Sequence, residues 1–525
     1  MAQHTPAECT GIRPVNTTTA DPTVTSLPPL LRLPRELRDL IYEKYVRVDG
    51  GYVYKPGTNK LAHADGPPID LSLRLVCRQL ASEVQGLALK LNTITLETCF
   101  SEASQEDAGM HHAINTKIER RKREVTKMFA PQLFTSEMAR AVADVHPWFS
   151  PVINGWSRHS LPDLKALTMR GVYCGEAPSL WRDCVHDVFR QISKSPELNA
   201  TLLEESVARP RPTALWPQPW IPADGQQLLE LAKADPKPWQ ILSRAERDKL
   251  AAAAHAEPKV PHYKSRTKYT YSAASLALRF LQALSPSDLA AVRQVKLLET
   301  RETVAFPECH ARGFIPICQQ CPQIRIQRSA SLWKSVFLVP LLQKADYCYA
   351  NQDEMDNSVM SRDRLAAKDI TREVGKWAIE ASILPSLGMP EECFTLVIDG
   401  ESTPAHTAKL FRVVQEDMAF QNALDLAYNI GYLPLPTWLD RRIRTGYMYE
   451  GLPDIIRSLS IGSPIIRCNF DPGQPQDAKK IVENRHGWNL SDWTESWSRR
   501  SPQEYQTAAP LPPWHEMRWQ YVMVS

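Results

Sequence analysis

The chain has 525 residues, of which 43% are hydrophobic and 23% charged, and its formal net charge is +3. A single core rarely extends so far, so two or three domains are expected. A net charge this small excludes a whole-protein field that would draw in nucleic acid or an anionic membrane.

Proline is abundant at 42 and glycine sparse at 21, which points to many helix stops rather than flexible Gly/Ser linkers. No run approaches the ~20 apolar residues that a bilayer span needs. Residues 1–27 are polar and rich in Thr and Pro, without the apolar stretch of a secretion signal, and are expected to be a disordered leader. Eleven cysteines, an odd number without small-domain spacing, fit reduced thiols in the cytosol or nucleus.

A first helix is expected from Pro34, where the missing N–H of proline costs nothing. Leu33, Leu37, Leu40 and Ile41 make one apolar stripe on it, and Asp49-Gly50-Gly51 ends it. Residues 50–69, with Gly57, Gly66, Pro67 and Pro68, read as a polar loop. Asp70 then caps a second helix faced by Leu73, Val76, Cys77, Leu80, Val84 and Leu87. Residues 92–98 alternate as a strand does.

Further along, residues 113–130 read as helix and contain Arg120-Arg121-Lys122-Arg123, a basic run whose Glu119 and Glu124 neighbours fit a solvated face. Residues 161–170 resemble a single leucine-rich helix-to-strand passage, and one copy does not make a repeat array. Alternating prolines make 209–225 the best linker. Helices are expected over 240–256 and 272–284, with strands at 292–299, 324–327 and 394–398. Helix dominates between 360 and 425. The last 55 residues are dense in Trp and Pro. Trp488, Trp493, Trp497, Trp514 and Trp519 suit a staple folded back over the core, because an exposed Trp cluster invites aggregation.

Two segments carry a resemblance. They are Leu31-Arg-Leu-Pro-Arg-Glu-Leu-Arg-Asp-Leu-Ile-Tyr-Glu43 and Leu71-Ser-Leu-Arg-Leu-Val-Cys-Arg-Gln-Leu-Ala-Ser-Glu83. Together they resemble the F-box-like N-terminal unit of a large group of filamentous-fungal proteins. A later stretch has the look of the same group, from Ala277 through Arg293-Gln-Val-Lys-Leu297 to Pro307-Glu-Cys-His-Ala-Arg-Gly-Phe-Ile-Pro316.

The resemblance implies an adaptor that docks on a Skp-type protein of a cullin–RING ubiquitin ligase, while the remainder captures a protein substrate. Leu33 and Pro34 match the pair that opens the docking helix. Leu37 and Ile41 match its apolar face, and Leu75, Val76, Cys77 and Arg78 match the second-helix signature. The recognition implied is helix-in-groove, with apolar anchors at helical spacing. The connection between the halves, Glu43 to Asp70, is longer than usual, and Gln79 and Leu80 stand where the family has an aromatic residue.

The fold expected is α+β and helix-rich, an N-terminal F-box-like helical unit followed by a mixed α/β body. Its parts are a leader (1–27), the F-box-like unit (28–100), a helical or α+β segment (101–208), the linker (209–225), an α+β body (226–470) and the Trp/Pro-rich tail (471–525).

Motifs for chemistry are sparse. Cys318-x-x-Cys321 with Cys309 and His310 is the strongest metal candidate, but it lacks a second pair of matching geometry. Cys174, Cys184 and His186 are a looser group, and His111-His112 sit in a polar segment. Gly-x-Ser-x-Gly, His-Glu-x-x-His and glycine-rich phosphate loops are absent from the sequence. The reading is therefore an F-box-like adaptor of the cytoplasm or nucleus that is not an enzyme, uses no cofactor and engages neither nucleic acid nor membrane. A fungal protein-binding or structural protein without a ubiquitin-ligase role is the alternative.

Overall fold

The computed structural model describes residues 28–158, 174–202, 222, 224–255, 267–338, 365–500 and 502–521. The expected leader, the 161–170 passage and most of the 209–225 linker lie outside them. The chain divides into two units, residues 1–47 and 48–525.

In the first unit, a tight turn over Pro29–Arg32 precedes the helix Arg35–Val46. Pro34 stands one position before the helix with ψ 152°, so its ring lies outside the turn that needs N–H donors. Glu36 in the first turn and Lys44 in the last both oppose the helix dipole.

The second unit is organised by strands β1 (Tyr52–Lys55), β2 (Lys60–His63), β3 (Thr93–Glu97), β4 (Gln294–Glu299), β5 (Arg325–Ser331), β6 (Leu365–Ala366), β7 (Phe394–Asp399), β8 (Ile466–Cys468) and β9 (Glu504–Tyr505). Seven of them form one sheet in the order β2-β1-β3-β4-β5-β7-β8, while β6 and β9 pair separately. Only β1 and β2 are antiparallel in the large sheet.

The region expected to be a loop, 50–69, is therefore largely a hairpin. It is tied to the sheet at Gly51, which has φ +72°, and a Cβ there would collide with the Thr93 carbonyl. Nor is 28–100 a self-contained helical unit, since β1 and β3 run inside the large sheet. The strands at 92–98, 292–299 and 394–398 lie where the alternation places them, and the chain is helix-rich α+β as expected.

From β3, which lies beside β1, each later strand of the large sheet is added on the same side and parallel to its neighbour. Parallel crossovers are almost always right-handed, so strands added in one direction send every connecting segment to the same face. The burial pattern agrees. Ile94, Leu96, Val295, Leu297, Ile326, Leu396 and Ile398 are buried, and the helices Ala273–Gln282 and Ala367–Ser382 pack on their strands. Their neighbours Thr95, Gln294, Lys296, Arg325, Gln327, Thr395 and Arg467 are exposed or half-buried. Parallel sheets are normally covered on both faces; here, among the described residues, one face is open and largely polar.

The covered face also holds an ion pair. Glu299 and Arg328 are 0% and 1% exposed, and the Arg328 Nε and Nη2 donate to Glu299 Oε1 at 2.9 and 2.7 Å. The Ala273 and Ala274 N–H groups, at a helix N-terminus, donate to the same carboxylate at 3.0 and 3.2 Å. The Arg328 guanidinium lies 4.6 Å from the Trp377 ring centre. Every strong polar group is thus answered, as burial demands.

The second predicted helix is broken. Ser72–Val76 and Arg78–Glu83 are separate, because Cys77 is extended (φ −158°, ψ 164°) and its Sγ accepts the Leu80 N–H at 3.5 Å. The break rotates the apolar face, so Leu80 and Val84 are buried and Val76 is exposed. The tail folds over the body. Trp493 and Trp514 are buried, and Trp514 packs on Trp333 with ring centres 5.6 Å apart.

Candidate functional site

The residues matched to the docking signature lie at the surface. In the first unit, Leu37, Leu40 and Ile41 are 47%, 60% and 43% exposed. Leu33 is half-buried and Pro34 is exposed. An apolar stripe used only for core packing would be hidden. In the second unit, Leu75 is 83% and Val76 66% exposed, with Leu71 also at the surface. Cys77 is half-buried and Arg78 exposed.

The open face of the sheet carries a shallow basin of about 630 Å³, lined among others by Lys296, Arg325, Gln327, Thr395 and Arg467. Arg325 is paired with Glu392 at 3.2 Å. Lys296 and Arg467 have no carboxylate partner among the described residues.

The proposed metal ligands are dispersed into the core. Cys309 Sγ donates to the Phe306 carbonyl at 3.1 Å, and burial pushes its thiol up to about 12. Burial, with Cys393 beside it, also holds the Cys318 thiol well above its usual value. Cys321 is buried too. Among the described residues, no group of three or more His, Cys, Asp or Glu is placed to hold a metal ion.

His310 Nε2 donates to the Ala305 carbonyl at 2.7 Å, and its Nδ1 lies within hydrogen-bond distance of the Ser272 and Ser275 hydroxyls, at 2.7 and 3.2 Å. Ser272 and His310 match a nucleophile and base by type. Both are 1% exposed or less, and the Ser272 hydroxyl also caps the Ala273–Gln282 helix. Their arrangement anchors that helix. His111 likewise bonds the Pro238 carbonyl at 2.9 Å, inside the core rather than in a polar segment.

The basic run on the Glu102–Leu133 helix divides by face. Arg123 pairs with Glu119 at 2.9 Å and Arg120 with Glu124 at 3.8 Å, as a solvated face requires. Arg121 and Lys122 instead turn inward and are 6% and 5% exposed. Lys122 Nζ donates to the Ala234 carbonyl and to His186 Nδ1, the latter at 2.6 Å.

Burial lowers the Lys122 pKa to about 7. Burial, then the neighbouring Lys122, brings His186 down to about 4, so its ring is neutral near pH 7 and accepts. Beside them His146 Nε2 donates to Asp187 Oδ2 at 2.9 Å, a hydrogen bond that holds Asp187 below the usual carboxylate range. This cluster lines a cleft of about 360 Å³.

Among the described residues, no helix is long and apolar enough to cross a membrane. No protein-family model, curated protein or solved structure matches the chain.

Proposed function

We propose that the chain is a non-enzymatic recognition adaptor of the cytoplasm or nucleus. Its F-box-like helix would dock on a Skp-type protein of a cullin–RING ubiquitin ligase, and the body would hold a protein substrate. The observation that carries this reading is the exposure of Leu37, Leu40 and Ile41 on one short helix. Three large aliphatic side chains held at the surface at helical spacing suit insertion into a partner's groove. The open polar face of the sheet offers the body a broad surface for its target, and tethering the two would act through effective concentration.

A second reading, protein binding without a ubiquitin-ligase role, is favoured by β1 and β3 lying inside the sheet. That placement suits a segment retained to complete the fold.

Co-expression with a Skp-type adaptor followed by affinity pull-down separates the two. The first reading expects a complex that Leu37→Asp or Leu33→Asp abolishes while the thermal midpoint stays unchanged. Absence of a complex from well-folded protein would overturn it.

A further inference from the structure

We infer that the cleft between the helices Glu102–Leu133 and Pro178–Ile192 is a binding site for a small anion with a flat apolar body, its negative group set against Lys122. The volume, about 360 Å³, lies in the range of small-molecule pockets, roughly 300–1,000 Å³. Its apolar walls include Ile118, Trp181, Trp239 and Phe306. Flat surfaces of this kind favour a planar ligand.

The charge pattern sets the sign of the ligand. Each carboxylate on the lining already has a basic partner: Glu119 has Arg123, Asp183 has Arg312 at 2.7 Å, Asp187 has His146, and Asp235 has Lys237 at 2.6 Å. Lys122 does not follow this pattern. Its amine meets only two neutral acceptors, the Ala234 carbonyl and His186 Nδ1, and no carboxylate lies within ion-pair distance among the described residues.

An ammonium has three N–H donors, so one is left over. A buried cation without a counter-charge is costly, and a carboxylate or phosphate entering the cleft would supply both the charge and the missing acceptor. The charged groups that act on Lys122 from the neighbouring elements are Asp235, Lys237, Asp187 and Arg190. Two are acidic and two basic, so their effects largely offset. Burial of the amine remains the main influence, and it keeps a fraction of the amine unprotonated near neutral pH.

Pyridoxal phosphate is a suitable probe, being planar, anionic and an aldehyde. The Lys122 Nζ lone pair would attack the aldehyde carbon. Water would leave with the aldehyde oxygen and both amine hydrogens, and borohydride would deliver hydride to the resulting C=N bond, with solvent supplying the proton. The full-length protein is treated with the probe and borohydride, then digested and mapped by mass spectrometry. Lys122 should be labelled ahead of the exposed lysines. Benzoate at about ten times its Kd should cut that labelling about tenfold by mass action. Labelling confined to exposed lysines would overturn the inference, and so would Lys122 labelling that benzoate leaves unchanged.

Discussion

Lys122→Met offers a direct measure of what burying this amine costs. The side chain is 5% exposed, and its pKa falls from 10.5 to about 7 because burial disfavours the charged form. The unfolded chain therefore holds this proton up to about pH 10.5, while the folded chain releases it near pH 7. Between those limits the unfolded state binds more protons, so wild-type stability rises with pH. Below pH 7 the penalty is complete. A depression of this size corresponds to a penalty of roughly 4–5 kcal/mol at neutral pH, at about 1.4 kcal/mol per unit. It shrinks by about 2 kcal/mol between pH 7 and pH 9.

Methionine fills similar space without the charge, and replacing a poorly compensated buried ion by an apolar group is often stabilising. The loss of two hydrogen bonds at Ala234 and His186 offsets about 1–3 kcal/mol. The methionine variant should therefore be the more stable protein at pH 6–7 in urea unfolding, with the gap closing by about 2 kcal/mol as pH rises to about 9. Parallel stability curves for the two proteins across that range would refute the assignment of an uncompensated buried amine.

Two further predictions concern the core. Glu299→Gln strips the counter-charge from Arg328, which is 1% exposed, and should cost ~3–5 kcal/mol in chemical denaturation; the double variant Glu299→Leu, Arg328→Met should lose less than the two single changes combined, and simple additivity would show that the residues do not act as a pair. Glu380 accepts the Ser179 N–H and O–H at 2.6 and 2.7 Å, yet burial raises its pKa to about 7. The folded state then keeps a proton that the unfolded state releases near pH 4.5, so wild-type stability falls as pH rises from about 4.5 to 7 by up to ~3 kcal/mol through this group; Glu380→Gln should flatten that slope, and an unchanged slope would contradict the reading.

Much of the body was legible wherever the pattern was local. Gln294-Val-Lys-Leu297 alternates polar and apolar residues, which marks a strand buried on one side, and β4 has that character. Ser272 and Ser243 precede helices as capping residues do. The hairpin at 52–63 was not legible, because its strands are only four residues long and sit among Gly and Pro that read as loop. The break at Cys77 was hidden by an apolar spacing that continues through it.

Lys122 was obscured by its basic neighbours, although the helix period could have revealed it. It lies four residues after Ile118 and three before Val125, within the stripe that buries both. The Glu299–Arg328 pair left no trace in local sequence. It exists only because β4 and β5 lie side by side, in a register that sets Leu297 opposite Arg328.

The strand order links this architecture to the adaptor reading. A sheet that grows in sequence order keeps its helices on one side, and the other face is then free to bear side chains chosen for something other than packing. In this chain that face carries Gln294, Lys296, Arg325, Gln327 and Arg467. Such residues contribute little to the core, so substitution among them should leave stability nearly unchanged. The covered face has no such freedom, since each of its polar groups must be answered by another. Recognition by the body is therefore best sought on the open face, whereas small-molecule binding is best sought in the cleft among the helices, where Lys122 has neutral acceptors but, among the described residues, no counter-charge.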